Sequence, residues 1–217
     1  MSRSNHSPSN QSSAQMEKAT LGGGCFWCLE AVYEQLRGVE QVVSGYSGGA
    51  MPNPSYEQVS SGRSGHAEVV RVLWDVARIH FSDLLKLFWE CHDPTQGDRQ
   101  GNDCGSQYRS ALYVGSDEHM ALAETSRVAY QQLLSEAGYG PITTEIRQGV
   151  TFWPAETYHQ QYLAKPGSRP YCSAQPSGVL LGDFPGSDYQ LPASVWSHYD
   201  WSITHCVLRG DNSPIPR

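Results

Sequence analysis

Apolar positions along this chain repeat with two different periods. From Ala67 to Trp74 they alternate, and Val70, Val72 and Trp74 share one side of an extended segment. Glu68 falls on that same side by the two-residue period. A carboxylate at the end of an apolar face is the first anomaly of the pattern. Other blocks follow the helical period. Leu29, Val32 and Leu36, with Tyr33 beside them, predict a helix from Phe26 to about Arg37, stopped at Gly38. Phe81, Leu84, Leu85 and Phe88 predict a second, ending near Cys91-His92-Asp93-Pro94. A third opens at Ser116, a suitable N-cap, and closes at Gly138. A short helix is expected from Ala155 to Ala164, with Tyr158 and Tyr162 on one side.

Further strands are expected over residues 18–24, 39–46, 110–114 and 143–148. Pro52 and Pro54 make residues 51–56 a loop. Residues 94–107 contain no large apolar side chain, and so long a polar loop inside a domain is usually functional. The order β-α-β-β-α-β, with additions, predicts an α/β (α+β) two-layer sandwich with a ferredoxin-like core and a mixed, mainly antiparallel sheet. Residues 1–17 are rich in Ser, Asn and Gln and read as a disordered tail. Pro, Gly and Ser dominate from Lys165 onward, so a long irregular C-terminal extension is expected to lie over the domain, with Trp196 and Trp201 packing near its end.

Composition narrows the function classes. Hydrophobic residues make up 39% of the 217 residues and the net charge is −7, with a mean hydropathy of −0.48. The acidic balance argues against a nucleic-acid or anionic-membrane surface, and no apolar run approaches a bilayer span. The N-terminal segment has no signal-peptide core. The six cysteines (25, 28, 91, 104, 172 and 206) are too scattered for a disulfide scaffold. Reduced thiols in the cytoplasm are the default, with organellar targeting by the Ser-rich start left open.

Candidate chemistry centres on Leu21-Gly-Gly-Gly-Cys25-Phe26-Trp27-Cys28. The glycines free the backbone before a helix, and Cys25 falls at the helix mouth. Unpaired N–H groups and the helix dipole there are expected to favour a thiolate. Phe26 and Trp27 suggest a small apolar pocket beside it. Cys28 completes a Cys-x-x-Cys pair, although its helical position also suits plain core packing. A zinc site from Cys25, Cys28, Cys91 and His92 lacks a second well-spaced cysteine pair. Glu68 is the candidate proton donor, its pKa raised by the apolar face. Tyr56, Tyr108 and Asp103 sit in polar loops from which phenols can serve an oxyanion. Cys172, in a Pro- and Gly-rich segment, suits a mobile resolving cysteine.

Together these residues resemble the A-type peptide methionine sulfoxide reductases. The resemblance rests on Gly24-Cys25-Phe26-Trp27 with Glu30, Gly45-Tyr46-Ser47-Gly48-Gly49, Pro54-Ser-Tyr56 and Gly65-His66-Ala67-Glu68. It continues through His92-Asp93-Pro94-Thr95, Gly101-Asn102-Asp103, Gln107-Tyr108-Arg109-Ser110 and Ala155-Glu156-x-Tyr158-His159-Gln160-Gln161-Tyr162-Leu163. It covers about residues 19–172, which makes residues 18–172 the expected catalytic domain and 173–217 an extension. The resemblance implies reduction of methionine S-sulfoxide, free or in proteins, with thioredoxin as reductant, no bound cofactor or metal, and a role in repair of oxidised proteins. It implies that Cys25 attacks the sulfoxide sulfur while Glu68, Tyr56 and Tyr108 hold the oxygen, with Asp103 in support. Phe26, Trp27 and Tyr171 would meet the substrate, and Cys172 would form a disulfide with the oxidised Cys25. A monomer that binds neither nucleic acid nor membrane is expected.

The chain departs from the family pattern in its cysteines. Cys28 stands where many members have Gly. Ser173-Ala-Gln-Pro follows Cys172 where many carry a second recycling cysteine, and the next cysteine is Cys206. Recycling by Cys172 alone, by relay to Cys206, or with help from Cys28 all stay open.

Overall fold

β3 (Ala67–Asp75) is the spine of the protein. Its residues 67–70, 72 and 74 are buried, because both its edges are paired and both its faces are covered. The computed structural model describes residues 15–168, 172–182 and 184. In chain order, β1 (Met16–Gly23), α1 (Phe26–Tyr33), β2 (Val39–Ser47) and α2 (Tyr56–Ser60) precede β3. After it come α3 (Phe81–Glu90), β4 (Arg99–Gln100), β5 (Asp103–Cys104) and β6 (Ser110–Val114). Helix α4 (Asp117–Glu136), β7 (Glu145–Gln148) and β8 (Phe152–Pro154) follow.

The main sheet has the order β7-β6-β1-β3-β2-β8. Its pairs are antiparallel except β6–β7, which is parallel. The inner strands β6-β1-β3-β2 give the expected ferredoxin-like α/β sandwich with a mixed sheet. Side-chain alternation divides the core. Leu21, Val70, Val72, Trp74 and Leu112 face α1, α3 and α4. Ala67, Val69, Ala111 and Tyr113 face the other way, beneath Phe152. Hydrogen bonds lock the helices together: the Tyr33 hydroxyl donates to the Leu84 carbonyl (3.0 Å) and the Trp89 indole to Ser126 Oγ (2.8 Å).

Several boundaries differ from the sequence reading. β1 begins at Met16, and Met16 and Glu17 already pair with Asp75 and Trp74 of β3, so the expected tail is shorter. Helix α1 ends at Tyr33 because the chain tightens: Gln35 and Leu36 donate to carbonyls only three residues back. The loop at residues 51–56 leads into α2, which the sequence reading missed. Ser55 and Gln58 cap it reciprocally. The polar 94–107 segment carries the small β4–β5 hairpin.

The expected helix at Ala155–Ala164 is instead two turns of 3-10 helix, Thr157–His159 and Tyr162–Ala164. The Gln160 side chain prevents a continuous helix. Its amide accepts from the Ser44 N–H and donates to the Ser44 carbonyl (both 2.9 Å), and Gln161 then takes a left-handed conformation (φ 50°). No helix among the described residues is long and apolar enough to cross a membrane. Tyr171, Trp196, Trp201 and Cys206 lie outside the described residues.

Candidate active site

Cys25 is the residue just before α1, at its N-cap position. Its carbonyl accepts from the N–H groups of Cys28 (3.2 Å) and Leu29 (3.5 Å), which starts the helix. Gly24 makes the entry possible. Its φ is +98°, and Gln100 packs so closely that a side chain would collide. Glu68, at the start of β3, reaches the same place and is buried. Its Oε2 accepts from the backbone N–H of Phe26 at 3.2 Å.

Electrostatics follow from this burial. Loss of solvent raises the Glu68 pKa from 4.5 to about 8, opposed by the Phe26 N–H and aided by the Asp103 charge. Glu68 is therefore largely protonated at neutral pH, as the sequence reading expected. For Cys25 the expectation of a thiolate is corrected. The backbone at Trp27 and Cys28 does favour the anion, as a helix mouth should. Burial first, and then the Glu68 charge wherever that carboxyl is ionised, outweigh it and push the thiol well above its ordinary value. The resting sulfur is a thiol.

The phenols converge on this pair. Tyr56 opens α2, where its N–H donates to Glu156 Oε1 (2.9 Å), while the Tyr46 hydroxyl donates to Glu156 Oε2 (2.8 Å). Glu156 thus fastens α2 to the sheet opposite Glu68, whose register partner is Tyr46. Burial, Glu68 and Cys25 all raise the Tyr56 pKa, opposed by a bond to Ser60. Burial followed by the Glu68 and Asp103 charges, Tyr56 and Cys25 raises that of Tyr108. Both phenols therefore lie close enough to Glu68 and Cys25 to feel their charges.

An aromatic cluster adjoins these groups. Phe26 is buried against Tyr46, with ring centroids 5.9 Å apart, and against His159 at 5.1 Å. Trp27 is partly exposed and stacks on Tyr162 at 3.9 Å. Two residues of this region escaped the sequence reading as site residues. His159 is buried beneath Tyr56 (4.4 Å) and Trp27 (5.6 Å), and Glu156 holds Tyr56. Both lay inside the quoted Ala155–Leu163 motif, which was the available signal.

The cysteines bring the main surprise. Cys172 is buried, and its disulfide is with Cys28, not Cys25. The two Cα atoms are 5.8 Å apart although 144 positions separate them in sequence. One helical turn past Cys25, Cys28 meets the returning C-terminal segment, which is why Cys172 finds it. Cys25, Cys91 and Cys104 are free thiols. The grouping considered for zinc is not assembled. Cys28 is in the disulfide, Cys91 donates to the Phe88 carbonyl, and the ring nitrogens of His92 meet the Phe88 carbonyl (2.7 Å) and Ser110 Oγ (2.8 Å).

A buried thiol beside a protonated carboxyl and two phenols can protonate a polar oxygen while attacking the atom that bears it. Known proteins are similar to this chain in sequence and fold. Residues 17–180 match the peptide methionine sulfoxide reductase family. The chain is 52% identical to the peptide methionine sulfoxide reductase MsrA of Rhodospirillum centenum over 168 residues, 76% of this chain and 75% of that protein. It is 54% identical to the mitochondrial peptide methionine sulfoxide reductase of Bos taurus over 163 residues, 75% of this chain and 70% of the relative. In structure it is similar to methionine sulfoxide reductase A of Corynebacterium diphtheriae, with a TM-score of 0.68, 35% identity, and coverage of 76% of this chain and 82% of that one. Sequence, fold and the chemistry available at Cys25 thus converge, and the chain belongs to the A-type peptide methionine sulfoxide reductases, thiol-dependent enzymes that reduce oxidised methionine.

Proposed function

We propose that the protein reduces the S epimer of methionine sulfoxide, free and in proteins, through a sulfenic acid on Cys25. The observation that carries this reading is the Glu68 carboxyl held at the mouth of α1 by the Phe26 N–H, beside the Cys25 thiol. Glu68 gives its proton to the sulfoxide oxygen as Cys25 attacks the sulfur. Tyr56 and Tyr108 donate hydrogen bonds to that oxygen, with Asp103 behind them. Phe26 and Trp27 take the substrate methyl group.

Proton balance explains why a resting thiol suits the reaction. Cys25 loses one proton and the sulfoxide oxygen gains one, so the products are methionine and Cys25–SOH with no net uptake. Glu68 passes a proton to the oxygen and receives the one from Cys25. All these groups come from one chain, so a monomer suffices. Inverting the sulfur exchanges oxygen and methyl, which sets the oxygen against the aromatic wall and rejects the R epimer.

Cys172 then closes a disulfide with the oxidised site, and thioredoxin, or dithiothreitol in vitro, restores the thiols. A reducing compartment such as the cytoplasm supplies that dithiol, and the physiological task is repair of oxidised proteins. The test is turnover of each epimer with dithiothreitol. Only the S form should yield methionine; equal use of both epimers would refute the proposed geometry.

A further inference from the structure

The disulfide in this structure leaves the Cys25 thiol untouched. Cys28 is bonded to Cys172, while Cys25 keeps its thiol beside Glu68. The two helix cysteines are one turn apart, with the Cys28 N–H on the Cys25 carbonyl (3.2 Å). Cys172 is fixed from behind. The Ser173 hydroxyl donates to Asp103, the Gln175 N–H to Gln100 Oε1 (3.1 Å), and the Leu181 N–H to the buried Glu90 (2.7 Å). Tyr130 and Tyr139 donate to the carbonyls of Val179 and Ser177 (both 2.8 Å). This segment holds Cys172 against α1 at Cys28.

We infer that Cys28 is a resolving cysteine that moves the oxidation off Cys25, so that the enzyme with a closed Cys28–Cys172 disulfide still reduces a second sulfoxide. This deepens the proposed function and rests on Cys25 being the sulfur first oxidised. The steps balance. Methionine sulfoxide and the Cys25 thiol give methionine and Cys25–SOH. The Cys172 thiolate displaces hydroxide from that sulfur, which leaves as water after taking a proton, and a Cys25–Cys172 disulfide forms. The Cys28 thiolate then attacks the Cys172 sulfur. The Cys25–Cys172 bond breaks, the Cys28–Cys172 bond forms, and Cys25 takes up the proton Cys28 lost. A second sulfoxide can now oxidise Cys25 again. An external dithiol afterwards reduces the Cys28–Cys172 bond.

The test counts methionine without reductant. The protein is fully reduced, freed of dithiothreitol and given excess S-sulfoxide. Two methionines per chain are expected, against one for Cys28→Ser, whose single methionine also shows that the variant is folded and competent. One methionine from the unaltered protein, or two from Cys28→Ser, overturns the inference; the latter hands the role to another cysteine. Peptide mapping of the unaltered protein after one equivalent of substrate stands independently of any variant. A Cys28–Cys172 bond with Cys25 as thiol supports the inference, and a lasting bond to Cys25 refutes it. Should Cys25→Ser still form methionine, the underlying assignment of the nucleophile fails instead.

Discussion

Glu68 and Phe26, 42 positions apart, share a hydrogen bond: the backbone N–H beside the Cys25 sulfur donates to the Glu68 carboxyl at 3.2 Å. That N–H would otherwise be an unpaired donor at the start of α1. Using it to hold an acid fixes the distance between proton donor and nucleophile by backbone geometry rather than by a flexible side chain.

Replacement of Glu68 by Gln keeps the shape and the acceptor oxygen but removes the proton. We expect kcat to fall by roughly 10²–10⁴ with KM nearly unchanged. In the unaltered enzyme kcat/KM should decline as pH rises through about 8, because the protonated carboxyl is the active form. Stopped-flow rates across pH 6–10 would show that decline absent from the residual activity of the variant.

The same acid carries a stability signature of opposite use. Its folded pKa of about 8 lies above the ordinary 4.5, so the folded protein holds a proton that the unfolded chain releases. Below pH 4.5 there is no penalty; between 4.5 and 8 stability is lost as pH rises. Glu68→Gln should therefore be more stable than the unaltered protein at pH 8, on the order of a few kcal/mol, with the gap closing toward pH 4. Urea unfolding at both pH values measures it.

Tyr56→Phe and Tyr108→Phe each delete one donor to the oxygen. Each should slow the first turnover by about 10²-fold with little change in KM, and the double variant should fall short of the product of the two effects. Rapid-quench measurement of methionine in a single turnover separates this from recycling.

Gly101 tests the docked segment. Its φ is +59° and the Ser173 carbonyl occupies the place where a Cβ would stand. Gly101→Ala should loosen the residues around Cys172 and cost about 1–2 kcal/mol. The first methionine should form at the normal rate, while the Cys28–Cys172 bond forms several-fold more slowly. Acid-quenched mass mapping reads both.

Periodicity was enough for β3, where Val70, Val72 and Trp74 alternate, and for α3, where Phe81, Leu84, Leu85 and Phe88 recur at helical spacing, while Ser116 and Gly138 bracketed α4. The Glu68 anomaly was visible for the same reason, as a carboxylate on the apolar side of an alternating strand. Elements that depend on a distant partner were hidden. Tyr158 and Tyr162 sit at helical spacing, yet Gln160 bonds to Ser44 across the sheet and the segment cannot close a helix. The capping pair Ser55 and Gln58 was present but overshadowed by the prolines before it. The Cys25 thiol was misread as an anion because burial is a property of the fold, while the helix mouth can be seen locally. Nothing in sequence spacing distinguishes Cys25 from Cys28 as the partner of Cys172; only the path of the chain does.

The Gln160 amide has a consequence away from the chemistry. β8 covers only Gly45 to Ser47 along that side of β2. Just beyond it, the glutamine side chain occupies both the donor and the acceptor of Ser44. A strand margin with vacant backbone groups invites another polypeptide to add itself there, which is how many aggregates begin. One side chain imitating one peptide unit, with the Ala155 N–H on the same carbonyl, closes the margin at Ser44 and leaves no vacant group there for a foreign strand to seize.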